Sequence, residues 1–145
     1  MLKNLDPILS GSLLAVLDEM EPGEWLTLTA GPVRTPGLNE GHTVIDLSEK
    51  SVEATTQALL SVLPLDHAEA PIAYLDDLDA HDELPDVVFA VCGIAADAEL
   101  RRVSMSRLDE DDFHALAADA AATIRTDRFG EPAAFLLRKG ELVAA

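Results

Sequence analysis

Short runs of β-forming residues alternate with stretches whose apolar residues recur at helical spacing, and Pro or Gly stands at most of the joints. This alternation constrains the fold more than any other feature. Strands separated by helices pair through crossover connections, and both faces of the resulting sheet then need helices to cover them. Ser10 is placed to cap a helix whose Leu13, Leu14, Val16, Leu17 and Met20 share a face, and Pro22-Gly23 stops it. Residues 25–29 and 43–47 read as strands on either side of a Gly- and Pro-rich loop at 31–41. Val52, Thr56, Leu59, Leu60 and Leu63 mark a second helix before Pro64, and residues 71–75 form a short buried strand. An acidic loop at 76–83 leads to a helix from Asp86 through Gly93 and somewhat beyond, then to a strand at 102–105. Asp109, Glu110, Asp111 and Asp112 precede an Ala-rich helix from Phe113, where carboxylates favour the positive end of the helix dipole. Strands at 122–126 and 135–137 flank a turn-rich segment at 127–131. The expectation is one α/β domain over residues 1–145 with a mainly parallel sheet.

Charge narrows the function. Ten Lys and Arg against 27 Asp and Glu give a net charge of −17, which repels phosphate backbones and anionic lipid surfaces. Nucleic-acid and membrane partners are therefore not expected. The longest apolar run, from Val87 to Ala96, is about half the ~20 residues of a membrane-spanning helix. The opening residues contain no signal-peptide core, so a cytoplasmic location is expected. Cys92, the single cysteine, lies inside the apolar run and reads as a small buried hydrophobe.

Common chemical motifs are missing. His42, His67, His81 and His114 lack the spacing of a helical metal site and have no cysteine partners, so they read as solvated loop residues and no metal is expected. The acidic loop has no EF-hand glycine or spaced terminal Glu. Gly37 and Gly41 fit no phosphate-binding frame, and no serine sits in a Gly-x-Ser-x-Gly elbow. No nucleotide or other cofactor is expected.

The opening Met1-Leu2-Lys3-Asn4-Leu5-Asp6-Pro7-Ile8-Leu9-Ser10, continued by Leu13-Leu14-Ala15-Val16-Leu17 and Glu19-Met20, resembles the start of the ribose pyranase and fucose mutarotase family, RbsD/FucU. Val44-Ile45-Asp46-Leu47-Ser48 and Ile124-Arg125-Thr126 resemble strands of its ribose branch, and Leu136-Leu137-Arg138-Lys139-Gly140 the closing strand of its fucose branch. The resemblance implies a three-layer, Rossmann-like α/β fold and a cytoplasmic homo-oligomer, commonly a decamer. It also implies monosaccharide sites near subunit contacts, where anomers or ring sizes interconvert without metal or nucleotide.

Ring opening needs a proton carrier, and the family uses a His in a turn after the first helix. Pro22 occupies that position here and has no group that exchanges a proton. The family's sugar-binding Asp falls at Ala30, or at Thr29 if the register slips by one. Its Tyr and Asn clamp falls on Pro132-Ala133-Ala134, and the binding His of the ribose branch falls at Glu110. Arg107 matches an Arg of the fucose branch. Ordinary mutarotase chemistry is thus expected to be lost, leaving a non-catalytic, carbohydrate-related binding or structural protein. The alternative is an isomerase for an altered monosaccharide that uses Glu21 or Glu24, beside the vacated position, as acid/base.

Assembly has to overcome the repulsion between strongly acidic subunits. Leu2, Leu5, Ile8 and Leu9 are candidate apolar contacts, and Arg101, Arg102, Arg107, Arg138 and Lys139 are candidate partners for residues 109–112 of a neighbour. A homo-oligomer larger than a dimer is expected, and a monomer mass from light scattering at micromolar concentration would contradict it.

Overall fold

A computed structural model describes residues 3–31, 43–67, 70–75, 86–129 and 132–141. The elements are α1 (Gly11–Glu19), β1 (Trp25–Ala30), β2 (Val44–Leu47), α2 (Val52–Leu60), β3 (Ile72–Leu75), α3 (Asp86–Glu99), β4 (Met105–Leu108), α4 (Glu110–Ala118), β5 (Thr123–Thr126) and β6 (Ala133–Arg138). The strands form one sheet in the order β2-β5-β1-β6-β3-β4. β2, β5 and β1 pair in parallel, as do β3 and β4, while β6 lies between β1 and β3 and is antiparallel to both. The expected mainly parallel α/β sheet is therefore present, with its one reversed strand near the middle.

Local chemistry explains most boundaries. The Ser10 side chain accepts from the Leu13 N–H at 3.2 Å, and that of Ser51 accepts from Ala54 at 3.1 Å, so each opens a helix by satisfying an otherwise unpaired donor. The fourth helix starts earlier than expected, at Glu110 instead of Phe113. Asp109 is its cap, accepting from the Asp112 N–H at 2.8 Å, and the other acidic residues fill its first turn. The strand expected at 102–105 lies at Met105–Leu108, because Ile72 to Leu75 pair with those residues. Cys92 is only partly buried, with its Sγ 3.8 Å from the Val103 carbonyl oxygen. Most of the expected loop at 31–41, the acidic loop at 76–83, His42 and His81 lie outside the described residues.

Alternation along the strands builds three layers. Leu26 and Leu28 of β1, Ile124 of β5, and Phe135 and Leu137 of β6 join Leu13 and Leu17 of α1, Leu59 of α2 and Val91 of α3 in the larger core. On the opposite face, Ala73, Ala134 and Leu136 pack with Phe113 and Ala117 of α4. Full burial of each large side chain contributes ~1.5–3 kcal/mol, so the larger core carries most of the apolar stabilisation. Leu9 belongs to this core, and Leu5 and Ile8 pack against it. These residues, expected as contacts for a neighbour, are thus already used within the chain.

The end of β6 ties distant segments together. Lys139 Nζ donates to the carbonyls of Leu17 at 2.7 Å and Met20 at 2.6 Å, compensating the unpaired end of α1. Gly140 follows, and its N–H donates to the Pro64 carbonyl at 2.8 Å. A Cβ on Gly140 would lie 2.5 Å from the Leu65 oxygen and 2.7 Å from its carbonyl carbon, both backbone atoms that cannot turn aside. Gly140→Ala is accordingly expected to destabilise the protein by about 2 kcal/mol or more, read from urea unfolding, whereas a cost near zero would show that this crossing yields easily.

Candidate functional site

The position expected to lack the proton carrier lies in the turn between α1 and β1, at the edge of the sheet where β1 begins. Gly23 adopts φ +95°, a conformation that favours glycine, and its N–H donates to the Lys139 carbonyl at 2.7 Å. The Lys139 N–H returns a bond to the Glu24 carbonyl at 2.9 Å, which extends the β1–β6 pairing into the turn. Arg138 Nε lies 3.3 Å from the Gly23 carbonyl and 3.3 Å from Asp66 Oδ2, so one guanidinium joins the turn to the segment before β3. Its charged carbon sits 5.6 Å from the centre of the Trp25 ring.

Two clefts open beside Pro22. One, of about 560 Å³, is lined by Pro22, Gly23, Asp66, His67, Arg138 and neighbours to Glu141. The other, of about 540 Å³, includes Leu14, Leu17, Val62 and Leu63 and is more apolar. Both volumes fall within the ~300–1,000 Å³ usual for small-molecule sites. Glu21 is exposed at the surface. Glu24 is partly buried, and its Oε1 accepts from the Glu21 N–H at 2.9 Å, so that carboxylate is used in holding its own turn.

The other expected site positions gather at the opposite edge of the sheet. Ala30 ends β1 and pairs with Ala133, while Thr29 pairs with Ala134, so Ala30 faces the larger core and Ala134 the opposite face. Both are closed by packing: Ala30 and Ala134 are each 2% exposed, and Ala134 lies under Phe113 of α4. Thr29 is buried too, its carbonyl taking the Thr126 hydroxyl at 2.8 Å. Pro132 is exposed, as are Glu110 in the first turn of α4 and Arg107 on the edge strand β4. Arg107 pairs with Tyr74, which pairs with Phe135, so alternation puts it on the face opposite Ala134. These residues share an edge without converging on one pocket.

Six residues of β1 separate the two regions. At ~3.3 Å per residue the strand sets them about 17 Å apart, too far for a single monosaccharide to span. His67, read from sequence as a solvated loop residue, is exposed and also lines the Pro22 cleft. Its neighbours there come from residues 22–23 and 138–141, and no local motif announces that meeting. Among the described residues no group of three or more His, Cys, Asp or Glu is arranged to hold a metal, and no helix is long and apolar enough to cross a membrane.

One charged row lies near the Ala30 edge, where Asp46 and Thr29 flank Arg125 in register. The Ser48 hydroxyl and the Ser48 N–H, the latter at 3.0 Å, both donate to Asp46 Oδ1. These bonds, helped by the charges of Arg125 and Arg128 and opposed by slight desolvation, hold the Asp46 carboxyl below its ordinary 3.8. A depressed folded-state value stabilises the fold above the unfolded value and loses that contribution as pH falls through the folded one. Asp46→Asn, which keeps an acceptor oxygen, is expected to be less stable than the parent at neutral pH. The gap should close as unfolding is measured below pH 3.8; a pH-independent gap would assign the loss to packing.

Comparison with known proteins identifies the fold and the family. The chain is similar over 99% of its length to Atu2016, a candidate sugar-binding protein, at 28% identity and a TM-score of 0.88, covering 97% of that chain. It is similar to the fucose mutarotase from Streptococcus pneumoniae in complex with L-fucose, at 19% identity and a TM-score of 0.83, with 98% of this chain and 100% of that one covered. Bacillus subtilis RbsD complexed with D-ribose matches at 20% identity and a TM-score of 0.75, with 99% and 100% covered. The family model described as the RbsD / FucU transport protein family matches residues 3–142. With nearly the whole chain matched and the same α/β sheet formed, this protein belongs to the RbsD/FucU family.

Proposed function

We propose that this chain is a homo-oligomeric, monosaccharide-binding member of its family that does not exchange anomers or ring sizes through the inherited residues. One observation carries the reading. Pro22 stands where the proton carrier belongs, while Ala30 and Ala134, where a carboxylate and an amide are expected, are closed within the packed sheet. General acid or base help contributes ~100- to 10,000-fold to such a step, and losing the polar partners as well removes the groups that orient a hydroxylated ring. Binding is supported by an open cleft beside Pro22 whose lining includes Asp66, His67 and Arg138, and by relatives that hold L-fucose and D-ribose. A cytoplasmic role in carbohydrate metabolism fits that ligand class.

The two edges of the sheet bear on assembly. Any ligand that touches both the Pro22 turn and the Ala30 edge must have the second edge supplied by another copy of the chain. An oligomer, in keeping with the family's ring-shaped decamers, meets that need. The alternative of Glu21 or Glu24 as acid/base is disfavoured, because the Glu24 carboxylate is held by the Glu21 N–H and Glu21 is solvated.

Saturation-transfer NMR with L-fucose and D-ribose tests the reading at neutral pH. Saturation transfer to at least one sugar is expected without measurable acceleration of anomer exchange. Pro22→His alone should not restore exchange, since a proton carrier without positioning partners leaves the sugar unheld. Exchange by the parent protein at rates typical of His-bearing relatives would overturn the reading.

A further inference from the structure

We infer that His67 contacts the ligand in the cleft beside Pro22, taking a hydroxyl of a neutral monosaccharide ring; this deepens the proposed sugar-binding role and rests on it. The segment leading to His67 is firmly placed. The Pro64 carbonyl accepts from Gly140 at 2.8 Å, the Leu65 N–H donates to Glu99 Oε1 at 2.5 Å, and the Asp66 N–H donates to the Arg138 carbonyl at 3.1 Å. Arg101 Nη2 adds a bond to the Asp66 carbonyl at 3.0 Å. His67 follows this anchored stretch and lines the same cleft as Pro22 and Gly23.

The surrounding cations are already engaged. Lys139 Nζ is bonded to carbonyls at the end of α1, and Arg138 is shared between Asp66 and the Gly23 carbonyl. By contrast, the His67 imidazole has no hydrogen-bond or ion-pair partner among the described residues. Arg138 and Lys139 are balanced formally by Asp66 and Glu141 in the same lining, so the cleft does not select strongly for an anion or a cation. A neutral imidazole presents one donor and one acceptor, the pattern that a hydroxyl group complements. A polyhydroxylated neutral ring therefore suits this lining better than a phosphorylated or aminated ligand. His67 thus brings a polar group to the cleft whose inherited position carries Pro22, from a segment 45 residues further along the chain.

The test titrates L-fucose and D-ribose separately into the intact protein, following the ring resonances of His67 and the affinity of the parent, His67→Ala and His67→Gln. His67 is exposed, so both variants should fold, which their thermal unfolding checks directly. The His67 resonances should shift on binding, and His67→Ala should bind roughly three- to ten-fold more weakly, the range for losing one hydrogen bond. His67→Gln, which keeps a donor and an acceptor, should recover most of that loss. A sugar that binds the parent and His67→Ala equally, without shifting the His67 resonances, overturns the assignment and leaves sugar binding standing. Failure of both sugars to bind the parent overturns both.

Discussion

The antiparallel pairing of β6 between β1 and β3 is the constraint on which the rest of the structure depends. Phe135 and Leu137 point into the larger core, Ala134 and Leu136 point towards α4, and all are buried. Breaking this strand would remove packing from both faces and separate the β1–β5–β2 half of the sheet from the β3–β4 half. Because β6 runs against its neighbours, its first residues share an edge with the end of β1. Its last residue pairs with the start of β1, Lys139 bonds to the turn before it, and Gly140 meets the Pro64–Leu65 segment.

This geometry shows how the scaffold accommodates Pro22, Ala30 and Ala134. Pro22 lies exposed in a turn whose shape is set by Gly23 and by backbone bonds to Lys139, so the helix–strand connection does not require a proton-carrying side chain. Ala30 and Ala134 are small, buried residues on packed strands and bring no side-chain donor or acceptor that needs a partner. The residues that hold the ends together have different jobs. Lys139 compensates α1, Arg138 joins two loops, and Gly140 permits close contact with Leu65.

Much of the fold was legible in local chemistry: Ser10 and Ser51 mark helix starts, and β-forming runs mark five of the strands close to their observed places. The register of β4 was not, because Val103 and Met105 are better strand formers than Ser106 and Arg107, and pairing with β3 decides the matter. Nor does residue type show that β6 enters the middle of the sheet in reverse, since that depends on partners more than a hundred positions away in β1. The reading of Pro22, Ala30 and Ala134 as family site positions comes from family resemblance alone. The placement of His67 beside Pro22 was hidden for the same non-local reason as β6, and its lone position in sequence gave no motif to follow.

The central claim is that the two edges of the sheet belong to one site only when supplied by different copies of the chain. A variant carrying Glu21→Cys and Glu110→Cys, with Cys92→Ser, tests this most directly through a short bismaleimide linker and a denaturing gel. The two introduced thiols lie at opposite edges within one chain, beyond the linker's reach, but would approach across a shared contact. A ladder of covalent oligomers that needs both cysteines is the expected result. Monomer bands alone from the double variant, with its thiols confirmed reactive, would contradict a site completed between chains.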